Sequence, residues 1–86
     1  MLENEEIFLL KAIGSNIRQL RKKLNLSQEI LSFDADIPRN QIGRIERGQI
    51  NTSVITLLKI SKALKVNLHD LILIDTLVEE QRVKMN

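Results

Sequence analysis

Residues 26–48 read Leu26-Ser27-Gln28-Glu29-Ile30-Leu31-Ser32-Phe33-Asp34-Ala35-Asp36-Ile37-Pro38-Arg39-Asn40-Gln41-Ile42-Gly43-Arg44-Ile45-Glu46-Arg47-Gly48. Ser27 is a good N-cap, because its side-chain oxygen can accept from a backbone N–H that has no partner in the first turn. A helix through about Ala35 follows, with Ile30 and Leu31 on its inner face. Asp36 and Ile37 make a short turn. Pro38 is tolerated only in a helix's first turn and pushes Ile37 to an extended conformation. A further helix then runs from about Pro38 to Arg47 and ends at Gly48, where a left-handed C-terminal cap is wanted.

Projected at about 100° per residue from Arg39, that last helix puts Gly43 at about 40°, Arg47 at about 80°, Asn40 at about 100° and Arg44 at about 140°. Ile45 and Ile42 fall at about 240° and 300°, with Gln41 and Glu46 on the flanks. Two isoleucines anchor the helix, and the opposite arc displays three guanidiniums, one amide and a bare backbone. Such an arc suits base edges in a major groove: Arg can donate twice to guanine O6/N7, and Asn can pair similarly with adenine. Gly43 costs about 1 kcal/mol in helix propensity. Two readings of it stand, close approach to a DNA wall or drift at an exposed position. A short helix, a tight turn and a helix with an outward Arg/Asn face is helix-turn-helix spacing.

Around this pair the chain has only three Gly and one Pro in 86 residues, so the reading is all-α. Ile7, Leu10, Ile13, Ile17, Leu20 and Leu24 recur every three or four positions and predict a first helix from about Glu5 to Leu24. Its acids sit favourably at the positive end of the dipole. Gly14 interrupts it and leaves open a start nearer Ile13. After a polar loop at residues 49–52, Ser53 caps a fourth helix with Val54, Leu57, Leu58 and Leu64 inward and Ala63 nearby. Asn67 caps a fifth, with Asp70 placed for a capping box. Beyond Ile72, the residues Leu73, Ile74, Leu77 and Val78 fit a continued helix or a strand. The chain divides into an N-terminal extension (1–12) continuing helix one, a central domain (13–72) and a tail (73–86).

The composition, 43% hydrophobic and 28% charged, is that of a globular domain rather than a disordered chain. The absence of cysteine excludes disulfides, thiolate zinc sites and a Cys nucleophile. The longest apolar runs, residues 7–10 and 71–74, fall far short of the roughly 20 residues of a membrane span. The acidic N-terminus is not a secretion signal. A small cytoplasmic protein is expected. The net charge of +2 hides a basic middle: residues 11–65 carry +7, residues 1–10 carry −3 and residues 66–86 carry −2. A basic centre between acidic ends points to an anionic partner for the centre.

Four segments carry a family resemblance: Ile13-Gly14-Ser15-Asn16-Ile17-Arg18-Gln19-Leu20-Arg21, Leu26-Ser27-Gln28-Glu29, Ile42-Gly43-Arg44-Ile45-Glu46-Arg47-Gly48 and Leu57-Leu58-Lys59-Ile60-Ser61-Lys62-Ala63-Leu64. Together, from about Ile13 to Leu71, they resemble the lambda-repressor/Cro family of helix-turn-helix regulators, also called Xre-like. The resemblance implies a five-helix domain whose third helix reads the major groove of an inverted-repeat operator, usually as a homodimer. It implies base reading by Arg39, Asn40, Gln41 and Arg44. It assigns phosphate contact to Ser27, Gln28, Arg47, Gln49, Asn51 and Thr52, with Gln28 also bracing the recognition helix. A helix start such as that of Ser27 and Gln28 is a ready phosphate site, because its N–H groups are free and its dipole end is positive. Arg21 and Glu46 match positions that form an internal ion pair tying helix one to helix three. Three positions depart from the family pattern. Asp36 stands where Gly is frequent, and Asp tolerates left-handed geometry. Pro38 replaces a Ser cap and shifts how the recognition helix starts. Thr52 replaces a loop Pro.

His69 and Asp70 lack the further partners that a metal site or general base needs, and five serines lack a base–orienter arrangement. No Gly-rich phosphate loop exists. The reading is therefore a non-enzymatic regulator of transcription that binds double-stranded DNA and needs neither cofactor nor metal. The apolar residues at the ends (Ile7 to Leu10, Leu71 to Ile74, Leu77 and Val78) have two readings, padding of a small core or a homodimer surface centred on helix five and the tail. An alternative function is an antitoxin-type interaction module that autoregulates its operon while the tail engages a second protein.

Overall fold

Glu5 and Glu6 at one end of the first helix, and Arg21, Lys22 and Lys23 at the other, each oppose the helix macrodipole favourably. In a computed structural model, which describes residues 3–73, that helix, α1, spans Asn4–Lys23. It runs unbroken through Gly14. Four more helices follow: α2 (Gln28–Ala35), α3 (Arg39–Glu46), α4 (Val54–Ala63) and α5 (Leu68–Ile72). The described residues contain no strand, and none of their helices is long and apolar enough to cross a membrane.

Capping chemistry sets the helix starts. The Ser27 and Ser53 oxygens accept from the backbone N–H groups of Ile30 and Thr56, both at 3.0 Å. The Asn67 N–H donates to the Asp70 carboxylate at 3.0 Å. The helix ends share one device. α1 to α4 are each followed by a left-handed residue: Asn25 (φ 57°), Asp36 (φ 56°), Gly48 (φ 69°) and Lys65 (φ 60°). The next N–H then reaches five residues back to a carbonyl, as Leu26 does to Arg21, Ile37 to Ser32, Gln49 to Arg44 and Val66 to Ser61, at 2.9–3.1 Å. This is the Schellman arrangement, which satisfies carbonyls at the end of a helix and turns the chain sharply. α5 ends differently: Asn16 of α1 donates its amide to the Leu71 and Leu73 carbonyls at 2.9 and 2.8 Å.

Packing closes the helices into a ring, α1 on α3, α3 on α2, α2 on α4, α4 on α5 and α5 back on α1. Ile17, Leu31, Ile42, Ile60, Leu64 and Leu71 are fully buried inside it. One small residue allows a tight contact. A Cβ on Gly14 would fall far inside van der Waals contact with the Ile45 and Glu46 carbonyls, so α1 and α3 meet backbone to backbone only because residue 14 is glycine. The buried Ser32 and Ser61 hydroxyls donate to carbonyls three residues back, Glu29 and Leu58.

Several expectations about facing need correction. Val54 is 63% exposed, and the inner position on α4 belongs to Ile60. Ile30 and Leu24 are roughly half exposed, and the buried positions of α2 are Leu31, Ser32 and Ala35. Of the two readings of the apolar ends, Leu71 follows the first, as core, whereas Ile72 and Leu73 remain exposed. Ile74, Leu77 and Val78 lie outside the described residues. These assignments predict a sharp contrast. Ile60→Val should cost about 0.5–1.5 kcal/mol by leaving a methyl-sized void, whereas Val54→Ala should stay within about 0.5 kcal/mol of the parent. Urea denaturation midpoints of the two variants check it.

Candidate nucleic-acid interface

Three helices meet at one carboxylate. Glu46, on the last turn of α3, accepts from Arg21 Nε at 2.7 Å and Arg21 Nη2 at 3.1 Å, a two-pronged pair with the end of α1. Its Oε1 also accepts from the Gln28 amide of α2 at 3.0 Å. Arg21 Nη1 donates to the Leu26 carbonyl at 2.7 Å, so the same guanidinium holds the α1–α2 connection. Both charged side chains are buried, at 10% and 3% exposure. Hydrogen bonding to Glu46 raises the Arg21 pKa above its ordinary value against the opposing effect of burial. Since the folded value lies above the unfolded one, the stability linked to the Arg21 charge is present below the ordinary arginine range and fades as pH rises beyond it.

This brace sets the attitude of α3. Ile42 and Ile45 are buried beneath it, and Arg39, Asn40 and Arg44 are exposed on the outer side. Gln41 is half-buried between the two faces. Pro38 stands at the N-cap with φ −52° and no side-chain cap bond, and Arg39 is the first helical residue. Arg39 lies 3.4 Å from Glu29 of α2, with both side chains well exposed. Glu29 had drawn no role from the sequence, since nothing local relates residues ten apart across a turn. Among the described residues, Arg44 and Arg47 have no carboxylate within 4.0 Å.

Gly43 corrects the projection. It was placed on the open arc, yet it is buried, because the Gln28 side chain of α2 lies across it with Arg47 alongside. The covering group is on another helix, which a one-helix projection cannot register.

The remaining candidate residues lie at the start of α2 and after α3. Ser27 caps α2 through its oxygen and keeps its O–H for an outside acceptor. Gln28, Arg47, Gln49 and Asn51 are exposed and Thr52 is half-buried. The residue after the left-handed one distinguishes α3 from its neighbours. At the other three Schellman ends it is Leu26, Ile37 or Val66, each packed on the core. After α3 it is the exposed, polar Gln49. Apolar contact at that position ordinarily accompanies the motif. The turn after α3 is where it is given up.

The brace makes a stability prediction. Glu46→Gln leaves the Arg21 guanidinium buried without its countercharge and should cost about 3–5 kcal/mol, read as a lower urea midpoint. Replacing both residues with apolar side chains of similar volume should cost much less. Equal losses would show that the pairing is incidental.

A family model described as Helix-turn-helix matches residues 17–71. Control protein C.BamHI of Bacillus amyloliquefaciens is 48% identical over 60 residues, 69% of this chain and 74% of that protein. Control protein C.SmaI of Serratia marcescens is 35% identical over 69 residues, covering 80% and 82%. Among solved structures, the restriction-modification controller protein C.AhdI from Aeromonas hydrophila superposes with a TM-score of 0.70 at 39% identity, over 74% of this chain and 96% of that one. The chain belongs to the lambda-repressor/Cro-like helix-turn-helix family, whose members are non-enzymatic DNA-binding regulators of transcription.

Proposed function

We propose that the chain is a sequence-specific regulator that reads an inverted-repeat operator as a homodimer, with α3 in the major groove. The observation that carries the reading is the two-faced α3: Ile42, Ile45 and the braced Glu46 fasten one side, and Arg39, Asn40 and Arg44 are exposed on the other. Arg39 and Arg44 supply the bidentate donors that suit guanine, Asn40 the donor–acceptor pair that suits adenine, and Gln41 a flanking amide. Ser27 and Gln28 at the positive end of α2, with Arg47 and the segment Gln49, Asn51 and Thr52, position the domain on phosphates without reading sequence. Glu29 holds Arg39 loosely until a base or phosphate takes its place, since exposed pairs of this kind contribute little.

A second copy would join through the exposed Ile72 and Leu73 of the α5 end, and α4, which packs on α5, adds exposed Val54 and Ile55. A twofold then sets half-sites about one DNA turn apart. Two of the relatives described above are control proteins, and the similar solved structure is a restriction-modification controller. The same role, cytoplasmic control of a restriction-modification operon that includes its own gene, is the specific form proposed for this chain.

Two measurements test this. Arg44→Ala should weaken binding to the DNA upstream of its own gene by about 1–3 kcal/mol and relax preference at one base position; equal loss on random DNA would remove its base-reading role. For the parent chain, log affinity should fall linearly with log salt at a slope reflecting several neutralised phosphates. A salt-independent affinity would contradict the mechanism.

A further inference from the structure

We infer that Gly43 is a positioning residue for the DNA-backbone contacts: by lacking a Cβ it lets the Gln28 amide and the Arg47 guanidinium lie together on the recognition helix. The inference rests on the proposed assignment of Gln28 and Arg47 to phosphates.

Nothing in the helix itself asks for glycine at this position. Residue 43 lies inside α3, does not have a positive φ, and is a poor helix former there. Nor does packing of backbones ask for it. An added Cβ would lie 3.1 Å from Arg47 Nη1, 3.2 Å from Gln28 Oε1 and 3.6 Å from Gln28 Nε2, all ends of side chains. Gly14 is the contrast, since its missing Cβ is required by the carbonyls of a neighbouring helix. A methyl at 43 would therefore press first on the ends of two side chains rather than on a neighbouring backbone.

Those two do not respond alike. Arg47 is exposed and can swing aside. Gln28 is not free to adjust. Ionised Glu46 only accepts hydrogen bonds, so the Gln28 NH2 must face it and the amide oxygen must lie over residue 43. Flipping the amide would set oxygen against oxygen. Sliding it away would lengthen the 3.0 Å bond to Glu46. A side chain at 43 thus displaces the amide from the brace, and with it the group at the α2 start that meets phosphate. The empty space at Gly43 is what allows one amide to be tied to Glu46 and still present its second N–H outward.

The test uses random-sequence duplex DNA at low salt, on which phosphate contacts act without a known operator. Gly43→Ala should weaken binding about three- to tenfold, the size expected when contacting residues are coupled. Its melting temperature should stay close to the parent's, because alanine's preference for the helix offsets the weakened Gln28–Glu46 hydrogen bond. In a Gln28→Ala background, the same substitution should change affinity by less than about twofold, since the amide it displaces is already gone. Parent-like binding by Gly43→Ala would overturn the proposal, as would an undiminished effect in the Gln28→Ala background or a melting temperature more than about 10 °C below the parent's, which would mark a general loss of packing. If the parent chain failed to bind the duplex at all, the DNA reading itself would fall, and this inference with it.

Discussion

Arg21, Glu46 and Gln28 form the contact on which the rest of the structure depends. A carboxylate and a guanidinium removed from water are costly unless each is matched in charge and in hydrogen bonds. Here Glu46 takes three hydrogen bonds, from α1 and α2, while Arg21 spends its remaining nitrogen on the Leu26 carbonyl. The geometry admits one mutual arrangement of three helices. The close backbone approach at Gly14 brings α1 near enough to α3 for that pairing. Apolar burial supplies the cohesion of the ring, and the polar brace sets the angle at which α3 is held.

The surface charge becomes clearer once that pair is set apart. Arg21 and Glu46 cancel inside the domain, so the basic excess of the middle segment is carried by side chains that face solvent. Arg39, Arg44 and Arg47, on α3 and at its end, are three of the ten such cations, and the exposed amides of Gln28, Asn40 and Gln49 belong to the same helix pair and its exit. The acidic stretches of the chain lie at its ends. A domain with a small net charge can in this way present a locally cationic edge to a polyanion.

Repeated use of one helix ending gives the turn after α3 a further property. Four left-handed residues turn the chain by the same hydrogen-bond pattern. Three of these turns are fastened by an apolar residue pointing into the core, and the turn after α3 instead exposes Gln49. The helix ends that only build the fold are thereby separated from the one that faces outward. Nothing about the hydrogen-bond pattern differs, only the side chain that follows it.

Much of this was legible in the order of residues because it rests on local chemistry. Ser27 and Ser53 announce helix starts through their own hydroxyls, Asp36 and Gly48 announce helix ends through their tolerance of positive φ, and Pro38 bounds α3 through its ring. The all-α class, the helix-turn-helix spacing and the outward position of Arg39, Asn40 and Arg44 follow from such signals and from a helical period. Which apolar residue is inside was less legible, because periodicity names a face without saying what covers it. Val54 and Ile30 satisfy the pattern and remain exposed; Ile60 completes the core because α4 is rotated to meet its neighbours. The covering of Gly43, the pairing of Glu29 with Arg39 and the hold of Asn16 on the end of α5 were decided only when separate helices came together. Each joins residues distant in the chain, and no local propensity records a contact whose second partner belongs to another element.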